Sequence, residues 1–311
     1  MPATRWTADA IPDLTGATAV VTGANSGLGY HTSLELARYG ATVVMACRDL
    51  RRGEVALSEI TKTVGRPELE LRRLDLADLS SIRAFAMEMT TAHPRLDLLV
   101  NNAGIMGIPR QLTADDFEMQ LGTNHLGHFA LTGLLMPTLT AAPAPRVVTV
   151  SSQMHAVGTI DFDDLMSERR YGPWRAYGQS KLANLLFTFE LQRWAGRANA
   201  PLTSVASHPG YAATNLLSNT ASARRQVWMR RASAAVTRLV ARPAALGALP
   251  SLYAATMPDV SGGEFFGPRA FGGSRGFPTR IRAVSKAYDE ATAVRLWERS
   301  EALTGVEYPK V

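Results

Sequence analysis

The sequence predicts a single α/β domain, a doubly wound parallel sheet of about seven strands with helices on both faces. Three observations predict it. Short apolar runs alternate with longer amphipathic stretches from residue 17 to residue 207, and right-handed crossovers turn that rhythm into a parallel sheet covered on both sides. The first apolar run leads directly into a glycine-rich turn and then a helix, Thr22-Gly23-Ala24-Asn25-Ser26-Gly27-Leu28-Gly29. Two later runs end in polar residues, Asn101 and the pair Ser151 and Ser152, at the strand ends where open α/β sheets bind ligands.

In chain order, residues 17–22 and 41–46 are short, apolar and rich in β-branched side chains, so both are expected as buried strands. The stretches 27–39 and 50–64 are longer, with apolar residues at helical spacing, and are expected as helices. A strand at 69–74, a helix at 79–92 and a strand at 96–100 follow by the same distinction. A long helix is expected from 113 to 139, then a strand at 146–150, a helix at 175–195 and a strand at 202–207. After His208-Pro209-Gly210 the rhythm breaks; 211–242 reads as an irregular insertion before a helix at 244–255 and a short strand at 264–266. Doubly wound units reach 311 residues, so residues 1–311 are expected as one domain with 211–242 inserted as a lid.

Composition narrows the function. Apolar residues make up 46% and charged residues 19%, which suits a globular core and excludes a disordered chain. Cys47 is the only cysteine, so an intrachain disulfide and a cysteine-based zinc site are both excluded, and metal is not expected. Residues 1–15 lack a basic leader and an apolar stretch, and no run of about 18 apolar residues occurs, so a cytoplasmic location is expected. The net charge of +6 comes from 29 Arg against 4 Lys, without a basic stripe interleaved with aromatics, and nucleic acid is not an expected partner.

The chemistry centres on Tyr177 and Lys181, four residues apart and so one turn apart on a helix face. A cation about 4 Å from a phenol favours the phenolate by roughly 4 kcal/mol at an effective dielectric near 20, which predicts a tyrosine titrating near neutrality. The glycine turn, between a strand and a helix, presents free backbone N–H groups and a positive dipole end suited to a pyrophosphate. This placement makes the sheet Rossmann-type, although the spacing G-x-x-x-G-x-G departs from G-x-G-x-x-G. Asn124 interrupts an otherwise helical run, where its side chain competes for backbone groups.

With the glycine turn, Asn101-Asn102-Ala103-Gly104, Asn124, Ser152, Tyr177 and Lys181 in this order, the chain resembles the short-chain dehydrogenase/reductase family over residues 15–215. Within it, Ala46-Cys47-Arg48-Asp49, Ser151-Ser152-x-x-His155 and Ser180-Lys181-Leu182-Ala183-Asn184 are similar to the retinol dehydrogenase, WW-domain oxidoreductase and protochlorophyllide reductase-like branch, as is the tail 296–301. The resemblance implies that Tyr177 gives a proton to a carbonyl oxygen as hydride arrives from a nicotinamide. It implies that Ser152 binds that oxygen, that Lys181 holds the ribose hydroxyls and lowers the Tyr177 pKa, and that Asn124 anchors a water leading to Lys181. Ser151 is expected to be structural.

For the cofactor, the resemblance implies contacts from Gly23, Asn25, Ser26, Gly27, Leu28, Gly29, Arg48, Asp75, Leu76, Asn101, Ala103, Gly104, Tyr177, Lys181, Pro209, Gly210 and Thr214. Cys47 stands where a carboxylate would repel a 2′-phosphate, and Arg48 follows it, so NADP(H) is favoured over NAD(H). The expected reaction interconverts a carbonyl and an alcohol on an apolar small molecule. Reduction of an activated C=C bond and a dinucleotide-sensing scaffold without turnover are the alternatives. Expected pocket walls are Met106, Met154, His155, Tyr171, Trp174, Tyr211 and Leu216, with His155 either a pocket acid or a structural histidine. Monomer, homodimer and tetramer are all compatible with the sequence.

No acidic residue lies between Glu190 and Asp259, while eight arginines do, interleaved with Trp228, Met229, Val236, Leu239 and Val240. Residues 221–242 are therefore expected as a basic, amphipathic lid segment, with an acidic head group or peripheral contact to an anionic membrane as roles for its arginines.

Overall fold

The computed structural model describes residues 5–210, 244–270, 273 and 275–310. Residues Tyr211, Thr214 and Leu216 and the expected lid 211–242 therefore lie outside the described residues. Seven strands run parallel: β1 (Thr18–Thr22), β2 (Thr42–Cys47), β3 (Leu69–Arg73), β4 (Leu98–Asn101), β5 (Arg146–Val150), β6 (Thr203–Ser207) and β7 (Phe265–Ala270). An eighth, β8 (Arg275–Ile281), returns antiparallel to β7, and the sheet order is β3-β2-β1-β4-β5-β6-β7-β8. The expectation of about seven strands thus holds for the parallel part. β8 contains Gly276 and Pro278, which weaken a strand pattern; at the sheet edge proline is tolerated, and Pro278 sits opposite Pro268.

Strand alternation divides the core. Val21, Val43, Met45 and Val100 face one side, beneath α1 (Gly27–Arg38), α2 (Leu50–Val64) and a later helix at Ala244–Thr256. Val20, Val44, Leu99 and Val147 face the other, beneath α3 (Leu79–Ala92) and the helices that follow β4 and β5. The order reverses at β1, between β2 and β4, so a crevice opens outside the carboxyl ends of these strands.

The helix expected over 113–139 is broken. It starts only at α4 (Met119–Leu121), where the Glu118 carboxylate caps the amides of Gln120 and Leu121 at 2.9 and 2.8 Å. A π-helical turn at Gly122–Leu126 then carries Asn124, and α5 (Gly127–Leu134) and α6 (Met136–Thr140) complete the run. Such a π insertion re-aims a side chain out of helical register, in keeping with the competition expected at Asn124.

Two more helices finish the element set described: α7 (Pro173–Arg197) and, after α8 (Ala244–Thr256), α9 (Glu290–Thr304). Asp289 caps α9 through the Thr292 amide, and Gly305, at φ +60°, ends it in the left-handed region. The α9 residue Trp297 stacks on Phe187 of α7 and meets Phe129 of α5 edge-on. Tyr308 enters the same cluster and its hydroxyl donates to the Phe129 carbonyl at 2.9 Å. As a result α7 is buried without interruption from Ala176 to Leu191. Among the described residues no helix is long and apolar enough to cross a membrane.

Candidate active site

A groove of about 220 Å³ runs along the crevice at the switch point. One wall is the glycine turn between β1 and α1, where a Cβ on Gly29 would collide with the Gly23 carbonyl and lie 2.6 Å from Asn102 Nδ2. Ser26, the first residue before α1, makes no side-chain cap, so the opening amides of α1 are left to bind something else. A glycine turn this tight with uncapped amides fits a pyrophosphate. Gly29→Ala is expected to destabilise the protein by about 1–3 kcal/mol through overpacking, measurable by urea unfolding of the cofactor-free protein.

Thr22 closes the turn onto the next strand. Its hydroxyl oxygen accepts the Asn102 and Ala103 amides, each at 2.9 Å, and lies 2.9 Å from His128 Nε2. Asn102 lines the groove with its amide donating to the Thr22 carbonyl, whereas Asn101 is fully buried and donates to Thr132 on α5. The groove contact expected of Asn101 therefore passes to its neighbour, because the pleat turns successive side chains to opposite faces. Ala103 and Gly104 line the groove.

At the far end the lining comprises Arg48, Asp49, Arg52, Asp75 and Leu76. Cys47 is turned into the core. Burial pushes its thiol up to about 11, offset in part by the Ala24 and Asn25 amides that bond to the sulfur. Arg52, which the sequence reading did not single out, lines the groove four residues beyond Arg48; Arg51 does not. Its signal was the spacing itself, since residues 48 and 52 share a side of the turn leading into α2.

The reacting side is assembled by α7. The turn after β5, Gln153–Ala156, is packed so tightly on α7 that a Cβ on Gly158 would strike the Gly178 carbonyl, and this approach lets Ser152 hydrogen-bond Tyr177. Lys181 is buried, donates to the Val150 carbonyl at 3.0 Å and lies 5.8 Å from the Tyr177 ring centre. Asn184 donates to the same carbonyl at 3.1 Å. Ser151 donates to the Lys181 carbonyl at 2.8 Å, a structural bond, as expected. Asn124 accepts from the Ile105 amide at 2.8 Å and donates to the Ile105 carbonyl and to Ser180 Oγ, both at 2.9 Å. Its side chain thus anchors protein groups, and it is the Asn124 carbonyl, 3.0 Å from His128 Nδ1, that faces another ring.

The protonation states differ from the near-neutral phenol expected of the pair. Burial raises the Tyr177 pKa above its usual value and the Ser152 hydrogen bond lowers it in part. Burial also pushes Lys181 down to about 8. The helix spacing brings the two together, but the ammonium is engaged with a strand carbonyl, and removal from water outweighs their attraction.

Of the expected pocket walls, Met106 and Met154 are half-buried, and Trp174 is exposed and stands edge-on to Tyr177. Tyr171 does not offer its hydroxyl to a ligand: it donates to the Ile108 carbonyl at 2.7 Å. His155 is structural, with Nδ1 2.6 Å from the Ser152 carbonyl and Nε2 accepting from the Val284 amide at 3.4 Å. Gly210, at φ +71°, donates to His208 Nδ1 beside Pro209, at the last described residue before position 211. Among the described residues no cluster of His, Cys, Asp or Glu could hold a metal ion.

Residues 17–225 match the family model for short chain dehydrogenases. Retinol dehydrogenase 14 of Homo sapiens is 41% identical over 310 residues, covering 94% of this chain and 87% of its own length. Retinol dehydrogenase 13 of Homo sapiens is also 41% identical, over 300 residues, with 95% and 87% covered. Among solved structures, that of an uncharacterized protein from Mycobacterium Paratuberculosis matches with a TM-score of 0.82 at 46% identity, covering 99% of this chain and all of that one. The glycine turn, the serine after β5 and the tyrosine and lysine of α7 thus belong to a chain of the short-chain dehydrogenase family, an NAD(P)-dependent oxidoreductase.

Proposed function

We propose that this enzyme is NADP(H)-dependent and interconverts a carbonyl and an alcohol on an apolar small molecule. The observation that carries the reading is the hydrogen bond between Ser152 and the buried Tyr177, beside a buried Lys181 whose Nζ would lie 3.5 Å from a Cβ on Gly104 of the groove wall. Tyr177, held protonated by burial, donates its proton to the substrate oxygen in reduction. Ser152 hydrogen-bonds that oxygen, and both donors are oriented before charge develops on it. Lys181 supplies a positive charge beneath the site at neutral pH. When bound, the dinucleotide supplies or accepts the hydride. The glycine turn and the α1 amides would hold its pyrophosphate, Asp75 and Leu76 its adenine end, and Lys181 its nicotinamide ribose.

Arg48 and Arg52 together support the preference for NADP(H), since both line the groove where the β2 carboxylate of an NAD-selective site would stand. Charge-assisted bonds to a 2′-phosphate are worth about 1.5–3 kcal/mol, so Arg48→Ala is expected to weaken NADPH roughly 10- to 150-fold more than NADH. Titration of both cofactors by fluorescence checks this; equal losses would remove Arg48 from the phosphate site.

An apolar substrate is supported by the exposed Trp174 beside Tyr177 and by relatives named for retinol, itself an apolar alcohol. The test is NADPH oxidation with a panel of aldehydes, ketones and enones. Turnover of aldehydes or ketones is the expected result; turnover of enones alone would move the chemistry to the C=C bond, and none at all would sink the reading.

A further inference from the structure

Gln120 is fully buried on α4, and its side-chain amide makes three hydrogen bonds that use both of its N–H donors. Its oxygen accepts the Gly107 amide at 2.7 Å. Its nitrogen donates to the Tyr171 hydroxyl and to the Pro173 carbonyl, both at 2.9 Å. Tyr171 in turn donates to the Ile108 carbonyl. The reverse amide orientation would set an oxygen against the Pro173 carbonyl, so the bonds themselves determine which way the amide points. Four bonds therefore join the 107–108 loop to the lead-in of α7.

What this junction positions is the next residue, Trp174. Its indole lies over Gly107, where a Cβ would come within 3.2–3.5 Å of three ring atoms, and Gly107 adopts φ +64°. Gly172 makes no side-chain cap at the start of α7, so the backbone there has no local anchor of that kind. Trp174 is 49% exposed and stands edge-on to Tyr177, with ring centres 6.3 Å apart. A half-exposed indole beside the proposed proton donor is a surface for the unreactive body of an apolar substrate.

We infer that Gln120, acting with Tyr171, is a positioning residue that sets Trp174 over the substrate entrance and thereby governs recognition of the apolar body of the carbonyl substrate. This rests on the proposed function. Removing the Gln120 amide leaves the Gly107 N–H unsatisfied and takes one donor each from the Tyr171 hydroxyl and the Pro173 carbonyl, so the wall shifts while the reacting groups on α7 below it stay in place.

The test uses Gln120→Leu, which keeps size and removes the bonds, and Tyr171→Phe, which removes one hydroxyl and keeps the ring. With NADPH, KM for decanal is expected to rise about tenfold or more in Gln120→Leu, with kcat for propanal and NADPH affinity within about twofold of wild type. Tyr171→Phe should change KM in the same direction, and the double variant should be no worse than Gln120→Leu, because both break one junction. Equal KM changes for decanal and propanal, or additive losses, would overturn the inference. Tryptophan emission, taken as the difference from the matching Trp174→Phe protein, reads the wall without turnover: a shift in Gln120→Leu supports the inference and an unchanged spectrum overturns it. Tyr171→Phe carries the same readouts if Gln120→Leu does not fold. Absence of carbonyl turnover in wild type would sink the proposed function, and the emission arm would still decide the junction.

Discussion

Tyr177→Phe is expected to lower kcat for carbonyl reduction by about 10²–10⁴-fold, the usual contribution of a positioned general acid, with NADPH affinity within about twofold of wild type. The ring fills the same buried space on α7, and only the hydroxyl bonded to Ser152 is lost. Steady-state kinetics beside a cofactor titration separates the two effects, and retention of a tenth of the wild-type kcat would exclude Tyr177 as the donor. The pH dependence follows from the same burial. With the phenol raised, Tyr177 keeps its proton through neutral pH, while Lys181 keeps its charge only below about 8. Reduction should therefore be level below pH 8 and fall above it, as the cation that stabilises the phenolate left on Tyr177 is lost. A rate that rises above pH 8 would contradict this arrangement.

Lys181→Met should abolish activity and yet make the cofactor-free protein more stable at pH 7. The folded-state pKa of about 8 lies below the ordinary 10.5, so the unfolded chain binds more protons between those values. Stability accordingly rises with pH across that window, and below pH 8 the whole penalty of a buried ammonium remains, about 3 kcal/mol at 1.36 kcal/mol per pH unit. Methionine keeps the unbranched stem and most of the volume. The variant forfeits the bond to the Val150 carbonyl, but Asn184 still donates there at 3.1 Å. A net gain of about 1–2 kcal/mol is expected at pH 7, shrinking toward pH 10. Denaturant unfolding at both pH values checks it; a variant less stable than wild type at pH 7 would show that the buried charge is not a burden.

Most of the parallel sheet was readable from residues, because β1, β2, β4 and β5 are short, largely apolar runs bounded by turn signals. β8 was not, since Gly276 and Pro278 obscure a strand whose place at the edge depends on pairing with β7. The break in the run 113–139 depends on Ile105, nineteen residues before Asn124, whose backbone takes two of the three hydrogen bonds of that side chain. Tyr177 and Lys181 were placed on one helix face by their spacing, but no local rule points Nζ at the carbonyl of Val150 on another element. Asn101 and Asn102 could be told apart only by the parity of the pleat at the end of β4. Gln120 was passed over because a single amide in an apolar stretch gives no sign of the three segments it joins.

The aromatic cluster of Phe129, Phe187, Trp297 and Tyr308 also bears on synthesis. The middle of the chain emerges from the ribosome with the apolar sides of α5 and α7 bare, and the aromatic residues that cover Phe129 and Phe187, Trp297 and Tyr308, are made more than a hundred residues after them. Until then the nascent chain exposes large aromatic surfaces, the condition under which chaperones are recruited and intermediates self-associate. Premature termination before Glu290 should therefore yield insoluble protein even though every reactive group precedes that point.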